Sequence, residues 1–124
     1  FATALELGVP LVFARRKKTL TTDNEVWSER VPSFTKGIVT DILVAKSVLS
    51  ASDRVLLIDD IIANGDAARG LIRIVEAAGA DLAGFGVVVE KSFQTGANSI
   101  REQGIRFESI VRIRSLENGT IEFE

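Results

Sequence analysis

Cysteine and histidine are both absent from the 124 residues. Their absence excludes disulfides, thiolate nucleophiles, imidazole acid–base chemistry and the usual zinc sites. Charge of one sign is also scarce: the net charge of −2 gives no global electrostatic case for nucleic acid or a membrane surface. No signal-peptide pattern appears, and the longest apolar runs are of strand length, so the expected location is the cytoplasm. There is no internal repeat and no low-complexity segment. Any catalysis must come from carboxylates, Lys/Arg side chains, backbone amides and a metal carried in by a ligand. Methionine is missing too, an initiator included. The first eight residues read as the last turns of an amphipathic helix stopped by Gly8, which implies further sequence upstream.

What is present is enough for one domain. Hydrophobic residues make up 46% of the chain, sufficient at this length for a core of its own. Residues 9–14 read as a short buried strand, with Pro10 tolerable near its start. The polar stretch from 15 to 36 exceeds ordinary connections, which favours a functional loop or a pair of exposed strands. Residues 37–44 are expected to form an edge strand. A strand buried on both faces follows at 55–59, then a helix over roughly 66–78 stopped by Gly79. A strand at 82–90, a helix near 96–103 and a strand at 105–113 complete the rhythm. Asn118-Gly119 suggests a hairpin turn. The alternation implies an α/β fold with a mostly parallel twisted sheet flanked by helices.

The densest information lies in Val55-Leu56-Leu57-Ile58-Asp59-Asp60 and the residues that follow. An apolar strand runs into two adjacent acids, then into a small-residue turn, Ala63-Asn64-Gly65-Asp66-Ala67, and a helix. Ligands of open parallel sheets bind outside the carboxyl ends of strands, where loop and helix N-terminus meet. Small residues let backbone N–H groups approach an anion, and the helix start adds its own unpaired donors. An ordinary helix cap by Asn64 or Asp66 explains the turn equally well, and Asp66 is an awkward neighbour for a phosphate. The twin acids suit sugar hydroxyls and a developing positive charge, although solvated acids at a strand end are common.

Together these residues resemble the signature of the type I phosphoribosyltransferases. The Asn64-Gly65-Asp66-Ala67 turn replaces the commoner Thr-Gly-Gly-Thr and so is similar to the bacterial xanthine branch of that family. Glu90-Lys91-Ser92-Phe93-Gln94 matches the same branch, as do the segments 8–15, 33–36, 78–80 and 83–84. The resemblance runs along essentially the whole chain. It implies a type I phosphoribosyltransferase-like domain over residues 1–124 that lacks roughly its N-terminal third.

The implied reaction moves phosphoribosyl from phosphoribosyl pyrophosphate (PRPP) to N9 of xanthine. Asp59 and Asp60 would be the catalytic acids at the ribose, and Ala63, Asn64, Gly65, Asp66 and Ala67 would hold the 5′-phosphate. Lys91 would read the 6-oxo group of the purine, with Phe93 offering an aromatic face. Arg15, Lys17 and Lys18, in the basic run from 15 to 18, are candidates for pyrophosphate contacts. Magnesium would arrive with PRPP and not in a protein cage. The loop over 19–36 would close over the reacting centre, with Trp27 and Phe34 at a contact within a homodimer. The alternative is a non-catalytic PRPP-sensing domain of a purine repressor, which would keep the turn at 63–67 without needing residues 90–94.

Overall fold

The computed structural model describes residues 1–17, 25–33, 38–116 and 121–123. Helix α1 (Ala2–Leu7) ends at Gly8 and buries none of its residues. Strands β1 (Arg15–Lys17), β2 (Val26–Ser33) and β3 (Ile38–Ala45) form an antiparallel sheet in the order β1-β3-β2. Residues 38–45 therefore hold the centre of that sheet, not the expected edge. The long polar stretch accordingly supplies two of these three strands, β1 and β2, with residues 18–24 and 34–37 outside the description.

After a 3₁₀ turn at Lys46–Val48 comes the α/β part: β4 (Arg54–Ile62), α2 (Asp66–Ala78), β5 (Asp81–Lys91), α3 (Gly96–Glu102), β6 (Phe107–Ser115) and β7 (Glu122–Phe123). Its sheet runs β4-β5-β6-β7, parallel between β4, β5 and β6 and antiparallel only at β7. Two strand–helix–strand crossovers produce this arrangement, as parallel neighbours require. The expected Asn-Gly hairpin falls at residues outside the description, between β6 and its antiparallel partner. No helix among the described residues is long and apolar enough to cross a membrane.

Helix α2 joins the two sheets. The sequence pattern gave it one apolar side, but of its buried residues Ala68 and Ile72 face one cluster and Ile74 and Ala78 another. One cluster gathers Ile62, Ala68, Ile72, Phe85, Val87, Ala97, Ile100 and Phe107 beneath α2 and α3, with the Phe85 and Phe107 rings stacked at 5.4 Å. The other packs Ile74 and Ala78 against Val31, Ile42, Val44 and Leu49 of the antiparallel part. Full burial of side chains such as Ile74 and Ile100 contributes roughly 1.5–3 kcal/mol each.

Three sequence expectations change here. Residues 9–14 form no strand, and Val9, Leu11, Val12 and Phe13 are exposed. They occupy no place in either sheet's order, so they have no ladder to join. Strand β4 is covered on one side only. Leu57 packs on the cluster beneath α2, whereas Leu56 and Ile58 are 43% and 50% exposed. An apolar run reports strand character but not how many layers cover it. Trp27, expected in a loop, lies in β2 instead: half-buried, it packs on the second cluster, donates from Nε1 to the Leu49 carbonyl at 3.0 Å, and lies under the Lys46 ammonium. Phe34 lies outside the described residues.

Candidate functional site at the carboxyl end of the parallel sheet

A cavity of about 280 Å³ opens where β4 and β5 end and α2 begins. Its wall includes Asp59, Ala63, Asn64, Gly65, Asp66, Ala67 and Lys91, together with Arg16 and Pro32 from the antiparallel sheet. Residues spread along the chain from Arg16 to Lys91 thus converge on one volume.

The acids do not end β4. The strand continues through Ile62, so Asp59 and Asp60 still alternate sides as successive strand residues do. Asp59 lines the cavity, whereas Asp60 is exposed and is not part of its wall. Burial is the main influence on Asp59 and raises its carboxyl above the ordinary range. The Asp60 N–H, donating to Asp59 Oδ1 at 2.8 Å, opposes that shift; the Asp60 carboxyl adds to it, and the Arg16 charge offsets a little.

The turn then uses its small residues as follows. Gly65 is the N-cap of α2 with φ +88°, a left-handed conformation that a side chain strains. No side chain caps the helix. Asn64 Oδ1 accepts only from the Asp66 N–H, at 3.3 Å, and so closes the turn. Neither Asn64 nor Asp66 caps the helix with its side chain, and Asp66, Ala67 and Ala68 of its first turn line the cavity. Asp66 is held away from acting as a bare charge. Its Oδ1 accepts from Arg69 Nη2 at 2.7 Å, within an ion pair that is less than one-third exposed on either side. Asp66 Oδ2 is buried with no hydrogen-bond partner.

The basic run divides by strand alternation. Arg16 lines the cavity and Arg15 does not. Of Lys17 the structure describes the backbone, paired with Asp41, and Lys18 lies outside the described residues. Reading the run by its charge alone passed over Arg16; the period of two in an extended segment was the available signal. Phe93 is 48% exposed and stands outside the wall.

Next to Lys91 sits a residue the sequence reading quoted but gave no role. Glu90 is only 2% exposed. It accepts from Arg101 Nη1 and Nη2 at 3.0 and 2.7 Å and from Ser109 Oγ at 2.9 Å, with Arg112 Nε 3.5 Å away. Burial alone would raise its carboxyl, but the Arg101 and Ser109 hydrogen bonds and the two arginine charges prevail and hold it below the usual range. A carboxylate in an apolar strand gives little sign of such partners until β6 and α3 are folded against it.

The phosphoribosyl transferase domain model matches residues 2–110. The chain is 56% identical over 121 residues to a xanthine phosphoribosyltransferase of Moorella thermoacetica, covering 98% of this chain and 62% of that protein. It is 51% identical over 120 residues to a xanthine phosphoribosyltransferase of Bacillus cereus, covering 97% and 61%. Among solved structures it is similar to an APRTase from Giardia lamblia complexed with 9-deazaadenine. That match has a TM-score of 0.78 at 26% identity and covers 92% of this chain and 62% of the other. The chain thus spans about three fifths of the length of these relatives.

Proposed function

Because the chain belongs to the phosphoribosyl transferase domain family, we propose that it forms the transfer site of a purine salvage enzyme acting on PRPP and xanthine. One observation carries the reading: Asp59, the turn at 63–67 and Lys91 line a single cavity, as a phosphoribosyl donor with a purine beside it requires. The named relatives at 56% and 51% identity support xanthine as the base.

In the proposed reaction the xanthine anion, its ring proton already released to water, attacks C1′ of the ribose through N9, the bond from C1′ to the pyrophosphate oxygen breaks, and the electron pair leaves with pyrophosphate. The products are xanthosine monophosphate and pyrophosphate. The protein positions three groups and stabilises charge where it develops. The amides at 63–67 hold the 5′-phosphate, and Arg69 neutralises the neighbouring Asp66 so that the phosphate meets no free carboxylate. Asp59 faces the ribose, with Asp60 beside it at the strand edge. Arg16, the member of the basic run at the cavity wall, faces the departing pyrophosphate. Lys91 donates to the 6-oxo group, a contact that a 6-amino purine cannot accept, and such buried mismatches discriminate strongly. Phe93, outside the wall, offers its ring to the base from the solvent side.

Among the described residues no three acidic side chains gather in a cation cage. Of the two carboxylates in the wall, Asp66 is paired with Arg69, so Asp59 would be the protein neighbour of a magnesium ion held mainly by the oxygens of PRPP. Such an ion would supply charge neutralisation for the pyrophosphate. A homodimer in the cytoplasm is the proposed setting, on the same family resemblance.

The test is calorimetric titration with PRPP and magnesium, paired with an absorbance assay for xanthosine monophosphate. Binding with turnover on xanthine is the expected outcome in a protein extended to the relatives' full length. Binding without turnover there would point to the PRPP-sensing alternative. No binding by the 124-residue chain would overturn the site.

A further inference from the structure

The proposed base segment and the proposed phosphate turn lie on different strands, yet one short helix touches both. At its start, the Gly96 N–H donates to the Ala63 carbonyl at 3.0 Å. A Cβ on Gly96 would land on that carbonyl oxygen, 2.7 Å from the Gly65 nitrogen and 2.8 Å from the Asn64 carbonyl carbon. Real Cβ atoms do not approach backbone so closely, so either the helix or the turn would have to move. The approach is mutual, because a Cβ on Gly65 would meet Gly96 Cα at 2.9 Å. Ser99 ties the same end again: its Oγ donates to the Gly96 carbonyl at 2.7 Å and accepts from Arg69 Nη1 at 3.1 Å. Arg69 is the cation that neutralises Asp66 in the turn.

The other end of the helix is pinned independently. Arg101 makes its two-pronged contact with buried Glu90, the residue before Lys91. Between the two ends, Ala97 and Ile100 are fully buried in the core beneath the sheet. A helix anchored at both ends and packed along its length transmits position with little play.

We propose that α3 is a brace between the two halves of the ligand site, with Gly96 as the positioning residue that sets the turn at 63–65 for phosphate. The inference rests on the reading of that turn as a phosphate cradle. Gly96 touches no ligand; it acts by letting the helix close onto the turn backbone. The phosphate half and the purine half are thereby kept at a fixed spacing, which a transfer between two bound substrates needs.

The test compares the 124-residue chain with its Gly96→Ala and Ser99→Ala variants by nitrogen–proton amide spectra and by calorimetric titration with magnesium PRPP and with ribose 5-phosphate. Gly96→Ala is expected to shift the amide signals of Ala63, Asn64 and Gly65 while those of Val87 and Ser109 in the sheet stay in place. Affinity for both phosphate ligands should fall at least tenfold. Ser99→Ala should lower it about threefold, and it decides the matter if Gly96→Ala does not fold. A merely structural role would lower the melting temperature and leave both affinities intact. Turn amides that do not move in Gly96→Ala, or phosphate affinities unchanged in the variants, overturn the brace while the parent chain still binds. A parent chain with no phosphate affinity ends the functional reading first, and the positioning role with it.

Discussion

Asp59 and Glu90 stand near the carboxyl ends of adjacent parallel strands, and burial pushes both carboxyls toward the neutral form. There the likeness ends. Glu90 is enclosed by Arg101, Ser109 and Arg112, and its charge is stabilised beyond that of a free side chain. Asp59 has an N–H from Asp60, a like charge from the same residue, and only a minor contribution from Arg16. One region is electrostatically complete within the fold; the other keeps a partly desolvated acid facing a cavity. The difference is physical: a buried charge ringed by partners holds elements together, whereas a less compensated one at a cavity wall is the candidate for meeting a ligand.

The contrast can be broken most directly at Glu90. Glu90→Ala strips the partner from a guanidinium that is mostly buried, so unfolding by urea should show a loss of roughly 3 kcal/mol. A loss below about 1 kcal/mol would mean the network contributes no more than a surface pair. At Asp59 the expected pattern is reversed. Asp59→Asn should leave stability nearly unchanged, yet weaken magnesium PRPP binding more than about tenfold, or 1.4 kcal/mol. Asp60→Asn sharpens the point, because its side chain lies off the wall; a smaller loss, about threefold, is expected in the same titration. Equal effects for the two acids would show that the bound state brings both carboxyls to the sugar.

The smallest effect is the dependence of stability on pH, where the two groups have opposite signs. Glu90 has a lowered carboxyl in the folded state, so its contribution is complete above its ordinary value of 4.5 and is lost as pH falls below it. Asp59 has a raised one, so its ionisation disfavours the fold as pH rises past 3.8, and acid relieves that penalty. Melting curves across the acid range should therefore flatten in Glu90→Gln. In Asp59→Asn they should fall more steeply toward low pH than in the parent. The same direction of change in both variants would contradict the assignment.

Much of this was legible in the residues. The apolar run at 55–58, the small-residue turn and the helix stopping at Gly79 announced a strand, a tight turn and a crossover helix, because propensity and periodicity are local properties. Reading the acids as the end of the strand failed, since Ile61 and Ile62 continue the pairing with Val89 and Glu90. The failure mattered, as alternation then sends Asp59 and Asp60 to different sides. Arg16 was hidden within a run of four basic residues until its strand register singled it out. Residues 9–14 had strand composition but no neighbouring edge in the sheets described.

Chain chemistry without context was enough to indicate which side-chain chemistries these 124 residues lack, where the parallel strands run, and which short segments deserve suspicion. Those conclusions depend on side-chain type and on spacing over a few positions. Folding settled which acid meets the cavity, which arginine joins it, why a buried glutamate stays charged, and why a glycine opens α3. Each of these depends on distances between residues far apart in the chain, and such distances exist only once sheets and helices have packed.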